Sequence, residues 1–239
     1  MFFICTTSAV LATDTAALQT LLQRSIIDPD LALAEVQAYT ENRVPLMPPV
    51  KTAAEWEKLA NRLRHDVLAN VVYRGEAAAW RDAKTKVEWI GTVDGGPGYH
   101  IQKLRYEALP GLWIPALLYE PDMLSGAAPA NLLVNGYDAN GKQAPYKQIR
   151  ASNLAKRGML ALNIEWFGMG QLSGTNYSHY RMHQLDLCGT SGITPFYLAM
   201  KRGLDILLAH KNADQTRVSV AGLSGGGWQT IFISSLDTA

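Results

Sequence analysis

Along residues 14–80 the apolar positions fall three and four apart. Leu18, Leu21, Leu22 and Ile26 make one helical face. Residues 30–42 continue as a second short helix, with Asp28 as its expected cap and Pro29 at the first helical position. Pro45, Pro48 and Pro49 stop that pattern. Thr52 and Glu55 then have the spacing of a capping box, with Trp56, Leu59, Leu63 and Val67 as one stripe behind it. From Lys84 the pattern changes to strands. Residues 87–92, 99–108 and 112–119 are separated by turn sequences at 94–98 and at Pro110-Gly111, which predicts an antiparallel start to a sheet. After Pro129, strands at 131–135, 159–164 and 218–221 alternate with helices at 145–157, 193–208 and 228–236. Strands joined through helices run parallel with right-handed crossovers. The expected fold is α/β: a doubly wound, mostly parallel sheet over 84–239, preceded by a helical extension over 13–83 and an apolar segment over 1–12.

Composition narrows the function classes. The chain has 239 residues, 48% hydrophobic and 18% charged, enough to bury a sizeable core. With 22 basic and 21 acidic residues it shows no basic stripe, which argues against nucleic acid as a partner. No run reaches the roughly 18 apolar residues of a spanning helix, so stable membrane insertion is not expected. Residues 2–12, FFICTTSAVLA, are apolar and end in small residues, as a signal-peptide remnant would. That predicts export to the periplasm or beyond; without it the expectation is cytoplasmic. The two cysteines, Cys5 and Cys188, make no disulfide framework, and Cys188 is expected to be a small buried hydrophobe.

The chemistry concentrates at Gly222-Leu223-Ser224-Gly225-Gly226. A strand, Arg217-Val218-Ser219-Val220-Ala221, ends just before it, and a helix begins at Trp228. Strand, sharp turn and helix in that order project a serine hydroxyl above a sheet, with glycines two residues away on either side. The helix behind the turn aims amide dipoles at a developing oxyanion. A glycine-rich phosphate loop would instead want a Lys-Ser/Thr pair, which is absent. The expected oxyanion donors are the backbone amides of Gly225 and of Tyr137, the latter in the loop Asn135-Gly136-Tyr137 that follows the strand Leu132-Leu133-Val134. Read alone, Asn135-Gly136 is also a common plain turn. The long connection 165–190, with Gly168, Gly170, Gly174 and Gly189, leaves the carboxyl end of a parallel strand, where such sheets bind ligands.

These segments resemble a known family. Asn135-Gly136-Tyr137, the run from Leu162 to Gly170, and the stretch from Gly189 to Gly227 are similar to α/β-hydrolases of the acetyl xylan esterase and dienelactone-hydrolase-like group. Especially similar are the run from Arg202 to Leu208, then Asp214, and the run from Arg217 to Gly226. The resemblance covers about residues 84–239 and implies a serine carboxylic ester hydrolase acting through an acyl-enzyme on small-molecule or carbohydrate esters. Ser224 would be the nucleophile, and neither metal nor organic cofactor is implied. Two departures stand out: members commonly have His-Gly where this chain has Asn135-Gly136, and an Asp-Arg-Gly-type segment where it has Glu165-Trp166-Phe167-Gly168.

In such hydrolases the triad runs Ser, then Asp or Glu, then His along the chain. Here only Asp237 follows Ser224 as an acid, and all five histidines (His65, His100, His179, His183 and His210) precede it. The expectation is that the triad acid and histidine are not in this chain, which would be the N-terminal part of a longer enzyme and inactive alone. His179 and His183 are the best candidates for a base within it. Their spacing also fits paired metal ligands, but Tyr180 stands where a zinc-protease motif needs glutamate. His65 and His210 read as surface or capping residues, and Asp205 as a helix residue. The rival readings are a prolyl-oligopeptidase-like serine peptidase and a non-catalytic binding module on the same fold.

Overall fold

The computed structural model describes residues 14–174 and 178–239. The apolar segment 2–12 and residues 175–177 of the long connection lie outside them. The chain forms two compact units, Met1–Thr52 and Ala53–Ala239. In the first, α1 (Thr15–Gln23) is capped by Asp14, whose Oδ1 accepts from the amides of Ala16 and Ala17 at 3.0 and 3.3 Å. The second helix, α2 (Leu31–Glu41), starts later than Pro29. Asp28 Oδ1 accepts from Asp30 N at 2.8 Å instead, a local turn that leaves Pro29 ahead of the helix and Asp30 at its cap position.

The second unit opens with α3 (Ala53–Val67), a π-helical turn (Leu68–Val72) and α4 (Ala77–Arg81). The stripe on α3 is only partly covered: Leu59 is buried, Trp56 and Leu63 are exposed. These helices pack with the sheet. Val72 is fully buried in its core, Thr194 Oγ1 donates to the Val72 carbonyl at 2.5 Å, and Arg202 donates to the Trp80 carbonyl at 2.8 Å.

The sheet has six strands: β1 (Val87–Asp94), β2 (Tyr99–Leu109), β3 (Leu112–Pro121), β4 (Ala128–Leu133), β5 (Leu160–Ile164) and β6 (Ala213–Ala221), in the order β1-β2-β3-β5-β4-β6. The first three pair antiparallel, β3 meets β5 antiparallel, and β4 lies parallel between β5 and β6. Both faces of β5 are buried throughout. One face is covered by α5 (Pro145–Lys156), whose Ala151 and Ala155 meet Leu133, Ala161 and Tyr119. The short α6 (Gln184–Leu187) lies in the long connection. On the other face, α7 (Thr194–Leu208) brings Phe196, Leu198, Met200 and Leu204 against Leu132, Leu162 and Ile164. Next to it, α8 (Gly225–Leu236) adds Ile233 and Leu236. The sheet is therefore mixed, and its central strands β4 and β5 are covered on both faces, as in an α/β fold.

Three details differ from the sequence pattern. Strand β6 starts at Ala213 rather than 218: Ala213 and Asp214 pair with Ala128 and Pro129 of β4, the register shifts over 215–217, and pairing resumes at Val218. The last helix starts at Gly225, so the glycine turn is itself the first turn of α8. Cys188 is exposed, beyond the end of α6, and not a core residue. Among the described residues no helix is long and apolar enough to cross a membrane.

Candidate active site

β6 and α8 meet at Ser224, which has φ 57° and ψ −119°. It is the only non-glycine with positive φ among the described residues. Such a conformation costs about 1–3 kcal/mol and persists only where surrounding structure imposes it. Here the surroundings are backbone. A Cβ on Gly222 would come within 2.3 Å of the Gly226 carbonyl oxygen, and one on Gly226 within 2.7 Å of the Val134 carbonyl oxygen. Gly222 is thus required by the turn itself, and Gly226 by the close approach of the chain leaving β4. Gly226 N donates to the Leu223 carbonyl at 2.9 Å and Trp228 N to the Ser224 carbonyl at 3.1 Å, closing the turn onto the helix.

The loop after β4 lies directly against this turn. A Cβ on Gly136 would sit 2.7 to 2.9 Å from Leu223 O, Gly225 N and Gly226 N, so only glycine lets the two backbones approach so closely. Gly225 N and Tyr137 N, the two expected oxyanion donors, donate no hydrogen bond among the described residues. Ser224, Gly225 and Tyr137 line one open pocket of about 420 Å³ together with Trp166, His179, Phe196 and Trp228. The structure brings Ser224, Gly222, Gly226, Gly225 and Tyr137 together.

The pocket wall is aromatic. The rings of Trp166 and Phe196 lie 5.3 Å apart, those of Phe196 and Trp228 5.5 Å, and those of Trp166 and Trp228 6.5 Å. Trp166 Nε1 is buried without a partner among the described residues, a spare donor in that wall. None of these rings stood out in the sequence as pocket residues. They come from the β5 exit, α7 and α8, and only the fold gathers them.

His179 does reach the pocket, but the Tyr137 hydroxyl occupies its Nε2 at 2.6 Å. Burial holds His179 below the ordinary histidine range, against the opposing pull of the Phe167 carbonyl. That direction favours the neutral ring, whose Nε2 and the Tyr137 hydroxyl share one hydrogen bond. Desolvation likewise raises Tyr137, with Tyr180 adding to the effect. No hydrogen bond joins Ser224 to a histidine among the described residues. His183 does not line the pocket, and Asp237 pairs with Lys201 at 3.1 Å. His210 Nε2 lies 3.6 Å from Glu120, and Asp205 pairs with Lys201 at 2.6 Å. No group of three or more His, Cys, Asp and Glu among the described residues is arranged to hold a metal ion.

Behind the Tyr137 loop lies a buried polar network that sequence reasoning did not find. Glu165 and Lys142 form an ion pair at 2.7 Å, with side chains 0% and 2% exposed. The same carboxylate accepts from the backbone amides of Lys142 at 2.7 Å and Gln171 at 3.2 Å. Asn135 Nδ2 donates to Asn163 Oδ1 and the Ile164 carbonyl, both at 2.6 Å, while Gln229 Nε2 donates to the Asn135 carbonyl at 2.6 Å. The two departures from the family pattern, Asn135 and Glu165, are thus the residues that tie this loop to β5 and α8. Their positions were visible in the sequence as departures; their partnership was not.

The sequence matches no protein-family profile and no curated protein. Its fold is shared with solved esterase structures. A protein of Bacteroides fragilis NCTC 9343 assigned as an acetyl xylan esterase superimposes with TM-score 0.71 at 21% identity, over 90% of this chain and 59% of that one. The glucuronoyl esterase from Solibacter usitatus gives TM-score 0.57 at 15% identity, over 82% of this chain and 62% of that one. Acetyl xylan esterase 1 from Thermoanaerobacterium sp. JW/SL YS485 gives 0.54 at 17%, over 76% and 53%. The chain thus has the α/β fold of these hydrolases and spans about three-fifths of the length of the first.

Proposed function

We propose that this chain carries the nucleophile and oxyanion hole of a serine-dependent carboxylic ester hydrolase acting on small-molecule or carbohydrate-borne acyl esters. One observation carries the reading. Ser224 is held in a strained backbone conformation at the head of α8, beside two amides that have no partner among the described residues, in one aromatic-walled pocket. The shared fold with esterases is consistent with it.

In this mechanism Ser224 Oγ gives its proton to a general base and attacks the ester carbonyl. The carbonyl oxygen becomes an oxyanion that the amides of Gly225 and Tyr137 stabilise, each worth about 3–4 kcal/mol in acyl-transfer enzymes. Collapse of the tetrahedral intermediate breaks the bond to the alcohol and leaves an acyl group on Ser224, which water then removes. The positive end of α8 adds to the field at the oxyanion. The aromatic wall gives an apolar surface against which an acyl chain or a sugar face packs.

The test is labelling of the full-length protein with a fluorophosphonate, followed by peptide mapping. The expected result is modification at Ser224 and hydrolysis of p-nitrophenyl acetate, with Ser224→Ala removing roughly six orders of magnitude of rate. A folded protein that takes no label at Ser224 overturns the reading and leaves a binding module. Cleavage of peptide substrates in preference to esters would favour the peptidase.

A further inference from the structure

Lys147, in the first turn of α5, is buried, at 2% exposure. Burying an ammonium costs several kcal/mol unless something answers its charge. No carboxylate lies within ion-pair distance of it among the described residues. Its Nζ instead donates to the Gly136 carbonyl at 3.2 Å, with the Tyr146 ring 5.6 Å away. That carbonyl belongs to the same planar peptide group as the Tyr137 N–H. In a trans peptide the two bonds point in opposite directions. A cation fixed on the oxygen therefore sets the plane of the peptide and the direction of the N–H. It also draws electron density toward the oxygen, which strengthens the N–H as a donor. Gly136 itself is pressed against the serine turn.

We infer that Lys147 is a positioning residue of the oxyanion hole: it orients and polarises the Gly136–Tyr137 peptide so that the Tyr137 amide donates to the oxyanion. This rests on the ester-hydrolysis reading of Ser224. The effect grows with negative charge on the carbonyl oxygen, so it belongs to the transition state rather than to substrate binding. Burial pushes the Lys147 ammonium below the ordinary lysine range, with Arg150 adding to that and Asp138 and Glu165 opposing it.

The experiment compares Lys147→Met and Lys147→Arg in the full-length protein. Lys147→Met is expected to lower kcat for p-nitrophenyl acetate about tenfold, a modest share of what losing a whole oxyanion donor costs. KM stays unchanged, the Tyr137 amide signal moves upfield in a proton–nitrogen NMR spectrum, and Lys147→Arg restores most of both. A fall carried by KM, or an unmoved Tyr137 amide, overturns the assignment. If Lys147→Met does not fold, the wild-type protein decides: its Tyr137 amide shift must follow deprotonation of Lys147 at alkaline pH, and a flat profile is a refutation. A wild type that takes no fluorophosphonate label fails the ester-hydrolysis reading separately, and the amide shift still decides whether Lys147 holds the peptide.

Discussion

The turn at 222–226 and the loop at 135–144 face each other across one pocket, yet they are held in different ways. The turn is closed by hydrogen bonds between residues three and four apart and by glycines that let its own backbone fold tightly. The loop depends on partners far along the chain: Glu165 and Asn163 in or beside β5, Arg150 in α5 and Gln229 in α8. A local device tolerates changes elsewhere in the fold, whereas a tethered loop fails when any distant partner is lost.

Three changes test that contrast, beginning with the largest expected effect. Glu165→Ala leaves the Lys142 ammonium buried without its partner and should lower stability by about 3–5 kcal/mol in urea unfolding. The charge-free pair Lys142→Met with Glu165→Leu should recover much of that stability without restoring the loop's amide bonds, and hence without restoring activity. A loss under about 1 kcal/mol for Glu165→Ala would mean that the loop is not held by this pair.

Gly222→Ala acts on the other side. Its Cβ meets the Gly226 carbonyl, so Ser224 and the Gly225 amide must shift. The expected result is a kcat about 10²–10³ lower, with a stability cost of roughly 1–3 kcal/mol. Near-normal turnover in that variant would show that the turn can relax without moving the reacting groups.

Trp228→Ala is the smallest of the three. It removes one ring from the wall while leaving the serine turn and the tethers in place, and should raise KM about three- to tenfold with little change in kcat. A loss confined to kcat would move Trp228 from the wall to the positioning of Ser224.

The difference between the regions also explains how much could be read from the chain. The serine turn was legible because strand, glycines and helix are consecutive. The glycine loop was legible as a strand exit, with Tyr137 in it. Lys147 was not: on a helix with a polar face, a lysine reads as a solvated residue, and only the path of the 135–144 loop over α5 buries it. Glu165 drew notice only as a departure from a family pattern. The start of β6 and the exposed Cys188 were misjudged for the opposite reason, since main-chain pairing at Ala213 and Asp214 and a surface position leave no apolar trace.

By itself, then, the sequence determined the order of elements, the α/β class, the serine turn and its glycines, because hydrophobic periodicity and backbone sterics act over a few residues. Only the tertiary structure decided that three aromatic residues from separate elements, Trp166, Phe196 and Trp228, wall the serine's pocket. It alone decided that His179 reaches that pocket already bonded to Tyr137, and that buried charges at Lys142, Glu165 and Lys147 hold the facing loop. Those outcomes depend on which side chains lose water together, and that is settled by packing between distant segments rather than by local pattern.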